Sequence, residues 1–78
     1  MKIKLPGVNR ISIISEFIRL DSLLKLSSIV STGGEAKILI QNGEVRVDGE
    51  PCTMRGKKIH PGDVVQCGGS TLIVKQTI

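Results

Sequence analysis

Leu20-Asp21-Ser22-Leu23-Leu24-Lys25-Leu26, then Ser31-Thr32-Gly33-Gly34, then Glu35-Ala36-Lys37-Ile38-Leu39-Ile40 is the stretch on which the fold turns. Leu20, Leu23 and Leu24 recur at the spacing of one helix face. Asp21 lies in the first turn of that helix, where the dipole favours a carboxylate. Ser31 or Thr32 is suited to cap a second helix at the tight pair Gly33-Gly34, with Ala36, Leu39 and Ile40 as its inner stripe. Asn42-Gly43 ends it as a left-handed pair. Helices this short do not persist alone in water, so both must dock on each other and on strands.

The flanking residues supply those strands. From Glu44 the period changes to two, with Val45 and Val47 on one side and Glu44, Arg46 and Asp48 on the other. Asp48-Gly49 is a tight-turn signal, and Pro61-Gly62 fits the centre of a type II turn. Cys67-Gly68-Gly69-Ser70 joins Asp63 to Cys67 with a last strand over 70–76. On the other side, Val8 to Ile18 carries Ile11, Ile13, Ile14, Phe17 and Ile18, which predicts one strand leading into the first helix, with Phe17 buried. The sum is an α+β domain, two short helices packed on a small twisted, mostly antiparallel β-sheet. Residues 1–78 are expected to form a single domain with a core over 17–66, a basic N-terminal segment over 1–10 and a C-terminal hairpin strand over 70–76.

Seventy-eight residues lie near the lower limit for one apolar core, burying roughly 60% of the unfolded surface. The basic start Met1-Lys2-Ile3-Lys4-Leu5 is broken by Pro6-Gly7 before an apolar segment forms, so no secretory signal is expected. Ile38-Leu39-Ile40 and Leu72-Ile73-Val74 are far shorter than the ~20 residues that cross a bilayer. These features predict a cytoplasmic protein with no membrane partner. Cys52 and Cys67 read as small reduced core residues, and with only His60 beside them no zinc set or other cofactor is expected.

Charge narrows the function further. The net charge is +4, and it is concentrated: residues 1–10 carry +3 (Lys2, Lys4, Arg10) and residues 55–58 another +3 (Arg55, Lys57, Lys58). A polyanion suits such a pattern. Catalysis does not: the single His60 precedes a Pro-Gly turn, the carboxylates show no pairing signature, and neither an enzyme nor a small-molecule substrate is expected.

Two places could hold phosphate. Gly33-Gly34 opens a helix where backbone N–H groups converge, with Lys37 one turn inside and Lys25 on the preceding helix; a plain capping role is the alternative. Arg55-Gly56-Lys57-Lys58 is expected to be a cationic loop able to follow a phosphate path. Phe17 is the sole aromatic residue, so with that ring buried base stacking is unavailable, which favours structured RNA read through backbone and shape.

The ordered set Arg19-Leu20-Asp21, Leu23-Leu24, Ala36-Lys37, Gly43, Val45-Arg46-Val47-Asp48-Gly49 and Gly62-Asp63-Val64-Val65 resembles the S-four domain, named after the fourth protein of the small ribosomal subunit. The resemblance covers Phe17 to Gln66. It implies that the helices and following strands form one face for structured RNA, often ribosomal RNA. Many members have Ser-Arg where this chain has Ser31-Thr32-Gly33-Gly34, which removes a cation from the start of the second helix. The glycine version is similar to small stand-alone bacterial members of the family. The candidate RNA-binding set is therefore Lys25, Ser31, Thr32, Gly33, Gly34, Lys37, Arg46, Arg55, Lys57 and Lys58, on an expected monomer. A protein-interaction module or ribosome-assembly accessory factor is the alternative. A ubiquitin-like sulfur carrier fits less well, because Gly68-Gly69 is internal and the chain ends Lys75-Gln76-Thr77-Ile78.

Overall fold

The computed structural model describes residues 7–77, so Lys2 and Lys4 of the basic segment lie outside the described residues and Arg10 lies within them. The elements run β1 (Gly7–Ile13), β2 (Ile18–Arg19), α1 (Leu20–Leu26), α2 (Gly33–Gln41), β3 (Val45–Val47), β4 (Glu50–Pro51), β5 (Lys58–Ile59), β6 (Val64–Cys67) and β7 (Ser70–Gln76). They form a five-stranded sheet in the order β1-β7-β6-β3-β4 and a two-stranded ribbon, β2-β5. Among the described pairings only β1–β7 is parallel; β3–β4, β3–β6, β6–β7 and β2–β5 are antiparallel. The α+β architecture expected from the residue pattern is what the chain adopts.

The core follows the two periodicities. Leu20, Leu23 and Leu24 of α1 meet Ala36, Leu39 and Ile40 of α2, and both rows pack with Val45, Val65, Leu72 and Val74 of the sheet. Full burial of each such aliphatic side chain stabilises by ~1.5–3 kcal/mol, which holds helices too short to stand alone. The hairpin β3–β4 turns at Asp48 (φ 52) and Gly49 (φ 88), the paired positive φ of a type I′ turn. The Asp63 N–H donates to His60 O across Pro61-Gly62, with Gly62 at φ 97, which is the type II turn expected there.

Four expectations need correction. Val8 to Ile18 is not one strand: β1 and β2 enter different sheets, and the chain bends at Ile14, Ser15 and Glu16, leaving Ile14 85% exposed. Phe17 is not buried but 37% exposed, because its neighbour Ile18 takes the inward side. The 55–58 stretch is not all loop, since Lys58 lies in β5 and pairs with Arg19. At the end of α2 only Gly43 is left-handed (φ 75), while Asn42 has φ −80.

The end of α1 is less comfortable. Ser28 holds φ 65 while its N–H donates to Lys25 O and the next N–H, of Ile29, returns to Leu24 O. A residue with a Cβ is strained there by roughly 1–2 kcal/mol. Ser28→Gly should therefore raise stability by up to ~1 kcal/mol after glycine's larger entropy in the unfolded chain is subtracted. A urea titration should show a higher midpoint at unchanged slope; a lower midpoint would mean that Ser28 is not strained.

Candidate nucleic-acid interface

Helix α1 has no side-chain cap at its start. Its first amides are satisfied from outside: Leu20 N–H donates to Lys57 O (2.9 Å) and Asp21 N–H to Arg55 O (3.1 Å). The turn over 54–57 is itself closed by Lys57 N–H on Met54 O (3.1 Å), so a segment without regular structure is fixed against a helix terminus.

Side chains reinforce this contact. Asp21 is buried, and its two oxygens accept four hydrogen bonds. Oδ1 takes Arg19 Nε (3.2 Å) and Ser22 N–H (2.8 Å); Oδ2 takes Arg19 Nη2 (3.2 Å) and Arg55 Nε (3.0 Å). That uses the full acceptor capacity of a carboxylate. Burial pushes the Asp21 carboxyl up, but the bonds from Arg55, Ser22 and Arg19 outweigh it and hold the group below its ordinary value. The two guanidiniums keep 54% and 41% of their side-chain surface in solvent, and these bonds leave Arg19 Nη1 and both Nη groups of Arg55 for another acceptor. Two cations on one anion leave a net positive, oriented pair.

Arg55 stands at the start of α2 and Arg19 against the 54–57 turn. A Cβ on Gly33 would come within 3.4 Å of Arg55 Nη2, and one on Gly56 within 3.6 Å of Arg19 Nη2. Both are ordinary van der Waals distances, so the guanidiniums lie directly against the two glycines. The cation absent from the sequence of the helix start is thus delivered by the 54–57 turn. Thr32 caps α2 in a capping box: its Oγ1 accepts Glu35 N–H (3.2 Å), while Glu35 Oε1 accepts the N–H of Ser31 (2.8 Å) and Thr32 (3.2 Å). Ser31 and Thr32 amides are therefore occupied, whereas Gly34 is exposed with ordinary φ, and a Cβ there would only touch Thr32 Oγ1.

The remaining candidates divide. Lys57 and Lys58 are exposed on the turn and on β5, and Lys25 and Lys37 are exposed on α1 and α2. Arg46 is not joined to the cluster: its Nη1 donates to Gly49 O (3.3 Å) within its own hairpin. Arg19 and Asp21 are functional candidates that residue-by-residue reading passed over; the signal was a cation two positions before an acid across a buried leucine. Among the described residues no helix is long and apolar enough to cross a membrane, and no group of three or more His, Cys, Asp or Glu converges as a metal site.

The S4 domain profile matches residues 11–75, a wider span than the motifs themselves. A Bacillus subtilis (strain 168) protein with the name "Probable ribosome maturation protein RlbA" is 44% identical over 61 residues, covering 78% of this chain and 86% of the relative. Arg19, Asp21, Gly33 and Arg55 all fall inside the matched span.

The lowered Asp21 carboxyl makes the cluster acid-sensitive. A group whose folded pKa lies below its unfolded value, here 3.8, contributes stability that is present above that value and lost as pH falls through the folded pKa. Asp21→Asn should lower stability at pH 7 by about 1–3 kcal/mol, since the amide cannot accept all four donors. The gap between the two proteins should narrow below pH 4. Urea titrations at pH 7, 4 and 2.5 test this, and a gap constant with pH would overturn it.

Proposed function

The chain belongs to the S4 domain family, and from that membership we propose that it binds folded RNA, without catalysing a reaction on it, during ribosome maturation. One observation carries the reading: a single buried carboxylate orients the guanidiniums of two half-exposed arginines, Arg55 at the start of α2 and Arg19 beside the 54–57 turn. Guanidinium forks suit phosphate oxygens, and orienting them in advance reduces the ordering cost of binding. Lys57, Lys58 and Lys37 extend the positive surface. The name of the Bacillus subtilis relative is the support for placing that RNA in the ribosome.

Binding to folded ribosomal RNA fragments should exceed binding to a single-stranded homopolymer. With about four phosphate contacts, log affinity should fall with log salt at a slope on the order of −3. Lys37→Gln should weaken binding and reduce that slope by nearly one contact. Gly34→Asp should weaken binding without loss of stability, because its Cβ would meet only Thr32 Oγ1, at 3.8 Å. Lys57→Ala with Lys58→Ala should weaken binding to every RNA while stability holds within ~0.5 kcal/mol. Salt-independent binding, or none to any folded RNA, would sink the reading; full affinity in both the Lys37 and Gly34 variants would remove the α2 start from the contact surface.

A further inference from the structure

The β2–β5 ribbon has an inner and an outer face. Ile18 pairs with Ile59 and Arg19 with Lys58. Ile59 is fully buried and Ile18 packs on the core, so alternation puts Arg19 and Lys58 on the opposite side. The positions flanking them, Phe17 and His60, share that outer side: their ring centroids are 6.1 Å apart at an interplanar angle of 51°, and Lys58 Nζ sits 4.9 Å from the Phe17 centroid. The chain's sole aromatic residue therefore stands at the surface among a histidine and cations, while the core is built of aliphatic side chains. An open groove of about 650 Å³ has Lys58 and His60 on its walls together with Asp48, Glu50 and Asp63, and Phe17 is not among its lining residues.

We propose that this outer face is a stacking platform for one unpaired base of the bound RNA. The proposal rests on the RNA-binding reading and deepens it, because it specifies the ligand as a helix interrupted by a bulged or looped nucleotide rather than a continuous duplex. Bases inside an A-form helix do not expose their faces, whereas a bulged base does. Lys58 Nζ lies over the Phe17 ring in the free protein, so the base takes the place of that ammonium on the ring, beside the tilted His60 ring, and the ammonium turns to an adjacent phosphate. Lys58 and Arg19 flank it as partners for the phosphates on either side of the extruded nucleotide, and Arg19 connects the platform to the Asp21–Arg55 cluster. Stacking of this kind tolerates any base, so the recognised feature is an unpaired position rather than a sequence.

Two RNA hairpins that differ only by one unpaired 2-aminopurine in the stem test the proposal. Wild-type protein should bind the bulged hairpin at least ~5-fold more tightly than the paired one, the lower end of the stacking contribution, and 2-aminopurine fluorescence should rise on binding as the base leaves its neighbours in the stem. Phe17→Leu should erase both the preference and the fluorescence change while keeping its affinity for the paired hairpin, and Phe17→Tyr should retain the preference. Equal binding of the two hairpins by the wild type, or a preference that survives Phe17→Leu, overturns the platform and leaves RNA binding standing. Binding of neither hairpin, nor of ribosomal RNA fragments, overturns both.

Discussion

Asp21 is the constraint on which the surface geometry depends. Its backbone N–H is held by Arg55 O and its carboxylate holds Arg55 Nε, so two segments 34 residues apart grip each other twice. Leu20, immediately before it, is fully buried, which prevents the carboxylate from moving out to solvent without disturbing the helix packing. A charged group this enclosed is tolerable only when all its acceptor sites are used, and here they are. From that grip follow the position of the 54–57 turn, the pairing of β5 with β2 next to it, and the arrival of a guanidinium over Gly33.

The start of α2 shows how a helix terminus can be both capped and cationic. Glu35 supplies the negative charge that the dipole favours and engages the amides of Ser31 and Thr32. A free anion there would compete with Glu35. Arg55 changes the balance by placing a positive group on the open side, at Gly33. Positive charge at this helix start is therefore supplied by a guanidinium more than by free backbone N–H groups, which is the reverse of what the Gly33-Gly34 pair alone implies.

Much of the fold was legible because its local signals lie within a few residues, although the cap of α2 was open between Ser31 and Thr32 and falls to Thr32. The leucine spacing of α1, the Thr32 cap, the Val45–Val47 alternation and the Pro61-Gly62 turn are short-range patterns, and short-range physics sets them. The division of β1 from β2 was not legible, because apolar composition continues through Ile14, which is nonetheless solvent-exposed. Parallel pairing of β1 with β7 has no local signature either. At the site, Arg55, Lys57 and Lys58 were visible as a charge cluster, but Arg19 was hidden by its distance along the chain and Asp21 by its ordinary role as a first-turn acid. The orientation of Phe17 could have been found by parity: with Ile18 inward, its neighbour must face out.

The parallel β1–β7 pair has a kinetic meaning. Every residue pair in it, from Gly7–Ser70 to Ile13–Gln76, spans 63 positions of sequence, whereas β6 and β7 meet across a two-residue hairpin loop. Closing so long a loop costs more entropy than closing a hairpin, so β7 should join β6 early and recruit β1 late. The same asymmetry runs backwards in the native state. Among the described residues β1 lies at the edge of the sheet, paired with β7, and it can detach as a unit without breaking β6–β7. Its amides should exchange with solvent through that smaller opening, on a faster clock than those of the strands that hold the sheet together.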